Sequence, residues 1–231
     1  MAYPVIEGYN ISNTASGKNH TVNLPTNIQA GELLVVLFYS DGTNENDNIA
    51  GWTRLGYKSY SGHSCAILYK IATGEEGATV TGTTASTEAT AHISLRISNW
   101  SDVELSAVAN ATSLYPNPPN LAPAWGVYKT LWLAIGGGDY KRTVSAYPEG
   151  YSDSIHSFYN GTGGCWVGCA RKFSENESED PGTFTISASD DWSAWTLAIA
   201  GISDKYYKEV LGNVNLIKKF VKEIYIKVGT G

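Results

Sequence analysis

The chain has 231 residues and a formal net charge of −6 at pH 7. Only 16% of its residues are charged while 12% are aromatic, which excludes a disordered chain, poor in aromatics, and a coiled coil, rich in Ala, Glu, Lys and Leu. Residues 205–231 hold six Lys and two Glu, a net of +4, which leaves −10 for residues 1–204. An acidic body with a short basic end argues against a nucleic-acid partner.

The amino terminus and the cysteines indicate where the chain is made. Residues 1–7 contain no basic stretch followed by an apolar one, so no signal peptide is predicted. The longest apolar run, Leu33–Tyr39, is far shorter than the ~20 residues of a membrane span. The chain has an odd number of cysteines, namely Cys65, Cys165 and Cys169. We predict that they are free thiols that act as small buried hydrophobic side chains. We therefore expect synthesis in a reducing host cytoplasm, without a membrane partner.

Two stretches of the chain repeat one another. Gly31–Leu37 matches Lys129–Ile135, and Ala91–Ile97 faces Ala194–Ile199, at an offset of about 98 to 102 residues. The halves span about 23–98 and 120–200, joined by a linker over 99–119. Within this linker, the proline-rich Leu114–Pro119 favours an extended crossover.

The elements of each half read as strands. Leu33–Tyr39 and Leu131–Ile135 are apolar runs of strand length, typical of central strands, and His92–Ile97 alternates with a period of two. Because each half offers only four or five strands, the pattern predicts an all-β protein with one antiparallel sandwich over residues 1–203, jelly-roll-like or Ig-like, built from two pseudo-repeated halves. Two small sandwiches are the alternative.

The composition changes at residues 204–231, which form a basic C-terminal assembly segment. The last run, Val221–Val228, alternates like a strand, although a helical stripe also fits earlier positions. A segment this short cannot bury its own apolar face. Three interpretations remain: the segment docks on its own body, assembles with other copies or is disordered. Assembly would use its apolar side chains, which are Leu216, Ile217, Phe220, Ile224, Ile226 and Val228.

The sequence contains no catalytic motif, so we expect no enzyme and no cofactor. The histidines have no metal-binding spacing. The loop Asp41–Asn48 offers oxygen ligands that suit calcium, from Asp41, Asn44 and Asp47, but it lacks the EF-hand order, so a solvated turn is the favoured interpretation. Trp52, Trp125 and Trp166 are harder to place in a core, and exposed aromatics beside Asn and Asp suit sugar stacking.

Four blocks of the chain resemble proteins encoded by tailed bacteriophages and found in environmental sequences. The blocks are Gly31–Val36, Gly51–Thr53, Gly74–Thr81 and Glu179–Ile186. The resemblance covers about residues 25–200 and consists of turns and strands, so it transfers no functional residue. It implies a virion structural protein, of head-decoration, tail or fibre type, whose partners are copies of itself and other virion proteins. A lectin-like module that recognises host surface glycans is the alternative, and a glycan-active enzyme is a third hypothesis.

Overall fold

The computed structural model describes residues 2–202. Strands make up 62% of it, and two large antiparallel sheets account for most of them, with no helix in this part of the chain. The predicted all-β sandwich is therefore confirmed. The C-terminal assembly segment, with its six predicted contact residues, lies outside the described residues.

Fourteen strands follow one another along residues 2–202. They are β1 (Val5–Asn23), β2 (Leu33–Asp41), β3 (Asn48–Ile49), β4 (Thr53–Tyr60), β5 (His63–Ile71), β6 (Thr79–Ser98), β7 (Trp100–Leu105), β8 (Ala109–Ser113), β9 (Thr130–Asp139), β10 (Val144–Ala146), β11 (Ser152–Phe158), β12 (Cys165–Ser174), β13 (Thr185–Ile186) and β14 (Asp190–Gly201).

Each half of the chain supplies one large sheet. In sheet A the order is β1-β6-β2-β5-β4, with β3 also on β6. In sheet B it is β11-β12-β9-β14-β7, with β8 also on β14. Strands β10 and β13 form a separate small sheet. The predicted linker is thus partly strand, because β7 and β8 pair with β14, while residues 114–119 are without strand as expected.

The two sheets share one pattern and one register. Leu33 of β2 lies between Ile71 and Ile97, and its counterpart in β9, Leu131, lies between Phe173 and Ile199. Strand β1 packs over β11, and β4 packs over β14 and β7. These placements relate the sheets by an approximate two-fold axis that passes between β2 and β9.

The main core lies between the two sheets. Alternate residues of the central strands point into it, such as Val35 and Leu37 from sheet A and Leu133 and Ile135 from sheet B. All three cysteines are buried and free, as predicted for small hydrophobes. Burial of such side chains stabilises the fold by roughly 25 cal/mol per Å² of apolar surface.

The outer face of sheet A is covered by a ribbon formed from β1 and β6. These two strands pair along almost their whole length, yet the amide of Asn23, at the end of β1, donates to the hydroxyl of Ser12, near its middle, with N to Oγ at 3.1 Å. The ribbon therefore folds back over the sheet. It brings Val22 and Val80 onto the outward-facing Phe38, and it leaves β2 buried on both faces.

The outer face of sheet B is covered by chain from the crossover and by the β10–β13 sheet. The amide of Phe184 donates to the carbonyl of Pro116 at 2.8 Å, and the Thr196 hydroxyl donates to that of Pro119 at 2.6 Å. Trp132 and Trp166 are fully buried beneath this layer. Each large sheet is thus covered on both faces. This explains why its central strands are continuous apolar runs rather than alternating ones.

Gly82 tests the close approach of the ribbon to sheet A. A Cβ at this position would collide with the buried ring of Phe38, so Gly82→Ala overpacks the outer layer. We expect a loss of about 1–3 kcal/mol in the free energy of unfolding, measured by urea denaturation. Gly77→Ala, where the nearest atom is 3.9 Å away, is the matched control. Equal stability of the two variants would contradict the packing described.

Candidate functional site

The three tryptophans predicted to stack sugars do not lie together. Trp52 packs on the outer face of sheet A, against the cluster that contains Leu24. Trp125 packs on the outer face of sheet B, and its indole N–H donates to the Thr130 hydroxyl at 3.1 Å. Trp166 is fully buried, with its indole N–H donating to Asp190 at 2.9 Å, so it offers no face to a ligand. The predicted platform is wrong for Trp166, because covering chain buries the strand that carries it.

The three candidate calcium ligands also diverge. Asp41 points into the space between the sheets, whereas Asp47 lies on the opposite side of β2 and accepts from the Ser40 hydroxyl at 2.7 Å. Asn44 is exposed in the connecting loop. Within residues 2–202 no group of three or more His, Cys, Asp or Glu side chains could hold a metal ion. The loop after β2 turns back across the sheet, with positive φ at Gly42, Asn44 and Asn46, and this turn separates the two carboxylates.

The end of the interlayer core beyond Tyr39 is polar. The His63 ring nitrogen Nε2 and the Ser193 hydroxyl are 2.9 Å apart, and both residues are fully buried. Burial lowers the pKa of His63 to about 4, so the ring is neutral. A serine beside a neutral histidine resembles a nucleophile and its base, but a substrate could not reach this pair in the described conformation. The bond holds two strands of different sheets together.

Tyr39 crosses from one sheet to the other beside this pair. Its hydroxyl donates to the backbone carbonyl of Ser193 at 3.1 Å. Its ring lies over Gly137, where a Cβ would come within 2.5 Å of the ring carbon Cε1. Gly137 is the counterpart of Tyr39 in the repeat, at the same offset that relates Leu33 to Leu131. The ring therefore occupies the space that a side chain on its counterpart would need.

Two carboxyl groups face each other at the polar end of the interlayer core, beyond Tyr39. Asp41 ends β2 and Asp139 ends β9, and their carboxyl groups lie close enough to interact directly, an arrangement that a proton shared between them stabilises. Burial, and then the facing Asp139, raises the pKa of Asp41 to about 7. Each carboxylate also touches a hairpin of the other half, at Gly163 for Asp41 and at Gly62 for Asp139. This acid pair therefore joins the two halves.

The sequence contains a signal for this acid pair. Asp139 occupies the position in the second half that Asp41 occupies in the first, four residues beyond the matched runs. From the sequence we instead expected Asp41 in a solvated turn, with a calcium ligand as the alternative. Extending the repeat to the ends of its central strands would have paired the two acids.

A groove lies at the open edge of the sandwich between β1 and β11. It encloses about 280 Å³ and is lined chiefly by Ile6, Glu7, Tyr9, Asp153, Ile155 and Arg171. At one end the Ser157 hydroxyl donates to the backbone carbonyl of Ser12 at 2.9 Å, which joins the two edges. Along its wall the Arg171 Nε donates to Asp153 at 2.7 Å. We call this cavity the edge groove.

The first part of the edge strand β1 exposes three large apolar side chains. Val5 is 38% exposed, Tyr9 57% and Ile11 44%, although all three belong to one strand. In the described part of the chain β1 pairs only with β6, so its outer row of N–H and C=O groups has no strand beside it. An apolar, unpaired edge of this kind favours strand addition from another segment.

Comparisons with known proteins found no relative of this chain. The chain matches no family model, no curated protein and no solved structure. Residues 2–202 also form no helix with the length and apolarity that a membrane crossing requires. The site must therefore be interpreted from its own residues.

The acid pair predicts a pH-dependent effect of Asp41→Asn. Because the pKa of Asp41 is about 7 in the fold and ~3.9 in an unfolded chain, this group lowers the stability as the pH rises through that window. An amide carries no such charge and still donates to Asp139. We expect the melting temperature of the variant to rise relative to the unmodified chain between pH 5 and pH 8.

The buried histidines have lowered pKa values, so they destabilise the fold as the pH falls. Because both proteins contain these histidines, the difference between their melting temperatures at each pH cancels that effect. Asp102→Asn, which removes an exposed carboxylate far from the acid pair in the sequence, is the control variant. A pH-independent difference for Asp41→Asn would contradict a shared proton.

The cysteines predict the thiol chemistry of the folded chain. Burial raises the pKa of both Cys65 and Cys169 to about 12, and that of Cys165 is also raised, so no reactive thiolate forms at neutral pH. We expect none of the three to react with Ellman's reagent in the folded protein and all three to react in 6 M guanidinium chloride. Rapid labelling of one thiol before unfolding would contradict this burial.

Proposed function

We propose that this chain is a structural protein of a bacteriophage virion that works by associating with copies of itself and by docking on other virion subunits. The proposal includes no catalytic step. The resemblance of the repeated blocks to phage proteins supports the setting, and the exposed edge of β1 supports the mode of action.

The observation that carries the proposal is the group of exposed apolar side chains on the edge strand β1. Val5, Tyr9 and Ile11 are three of nine large hydrophobic side chains that are at least 36% exposed among residues 2–202, and they share one free edge strand. Proteins that remain monomeric protect such edges with charges, prolines or covering chain. A strand from another subunit would cover this one and complete its hydrogen bonds.

Charge provides a second support for self-association. The body carries −10 and residues 205–231 carry +4, so the basic end of one copy is attracted to the body of the next. Such attraction between exposed charges is screened by salt, with a Debye length of about 10 Å at 0.1 M and 3 Å at 1 M. Assembly through this attraction should weaken at high salt.

Ile11→Asp tests the edge as an assembly surface. Burial of an isoleucine contributes about 1.5–3 kcal/mol, so a charge at this position should weaken self-association at least tenfold. Sedimentation velocity over a concentration series at 0.1 M and 1 M salt measures the effect. Ile71→Asp, at an isoleucine that is 53% exposed on another strand, is the matched control and should associate normally.

A monomeric unmodified chain at all concentrations would contradict self-association. The virion setting has its own test, because antibody labelling of particles purified from the native source should place the chain on a head, tail or fibre. Particles free of the chain would contradict the setting and leave the assembly result intact.

A further inference from the structure

The described chain ends near the segment that leads into β1, the strand that forms one side of the edge groove. The amide of Gly201 donates to the Lys129 carbonyl at 2.9 Å, and a Cβ on Gly201 would collide with the backbone of Ala2. Ala2 precedes β1 by three residues, so the described chain ends, at Ile202, near the segment that leads into β1, whose Ile6 and Glu7 line the groove. The 29 residues that follow extend to at most ~95 Å, enough to reach a groove on either the same or a neighbouring copy.

The edge groove has the shape and chemistry of a site for an added strand. Ile6 and Ile155 give it apolar walls, while Glu7 and Asp153 give it acidic ones. Arg171 already pairs with Asp153, which leaves Glu7 as the carboxylate without a basic partner among the lining residues. A matching strand needs branched apolar side chains on one face and a lysine nearby.

Residues 221–228 carry this pattern. Ile224, Ile226 and Val228 alternate, so in a strand they share one face over ~13 Å. Lys222 continues the same row, and Lys227 lies on the opposite face. The apolar side chains of this face could pack against Ile6 and Ile155, and Lys222 could pair with Glu7.

We infer that the edge groove is the docking site of residues 221–228 of this chain, which add a strand beside β1. This inference rests on the proposed function, since a segment exchanged between copies would be the contact that assembles them. The backbone of the segment would complete the free edge of β1, and its three alternating side chains would enter the interlayer space over Ile155.

Disulfide trapping in the full-length protein tests the assignment. Tyr9→Cys is combined in turn with Ile224→Cys, Tyr225→Cys or Ile226→Cys, and the chains are oxidised gently. The native cysteines are buried and should not interfere. Bridges should form with Ile224→Cys or Ile226→Cys at least tenfold more often than with Tyr225→Cys, whose side chain would face away. Tyr115→Cys, at a tyrosine that is 54% exposed elsewhere, replaces Tyr9→Cys in the control.

Mixing separates the two proposals. Protein with Tyr9→Cys alone is oxidised together with protein carrying Ile226→Cys alone, which allows bridges only between copies. Dimers in this mixture support both the docking site and the proposed function. Bridges found only within one doubly substituted chain support the docking site and overturn assembly through this segment.

A different result overturns the docking site alone. If the Tyr9→Cys pairs are trapped no more than the Tyr115→Cys pairs while the unmodified chain is oligomeric, the groove assignment fails and the proposed function stands. Ile11→Cys replaces Tyr9→Cys if that variant has a lowered melting temperature, so the test does not depend on one substitution.

Discussion

Both faces of the central strands are apolar, and the rest of the structure depends on covering them. Packing the two sheets together buries one face of β2 and one face of β9. The outward faces remain, with Phe38 in one sheet and Trp132 in the other. Folding the β1–β6 ribbon over the first and the crossover over the second removes this surface from water. The cost is that each covering segment makes its contacts across long sequence separations, which require early closure of large loops.

The sequence predicted the parts of the fold whose cause is local. Runs such as Leu33–Tyr39 are apolar enough to identify central strands, and the repeat shows that there are two sets of them. Strand β1 was not predicted, because an edge strand with one wet face, rich in Asn, Ser and Thr, resembles a loop. Strands β7 and β8 were missed because they are short and depend on β14 for their hydrogen bonds.

Site residues were harder to predict than strands because burial depends on distant chain. Trp166 lies in a strand whose outer face is covered by Ile186 and neighbouring residues, a contact that no local pattern reveals. Asp41 and Asp47 are six residues apart, yet the loop between them turns back across the sheet and places their carboxylates on opposite faces. The apolar edge of β1 became visible only with the sheet order, since exposure of Tyr9 and Ile11 follows from the absence of a neighbouring strand.

The position of Tyr39 over Gly137 distinguishes this tandem chain from a homodimer of its halves. In a homodimer, every position near the axis would meet an identical residue, so a tyrosine there would meet a tyrosine and the two rings would claim the same volume. Linking the halves in one polypeptide allows the two positions to diverge, with a large ring on one side and no side chain on the other. The covalent link thus permits an asymmetric core that separate identical subunits could not share.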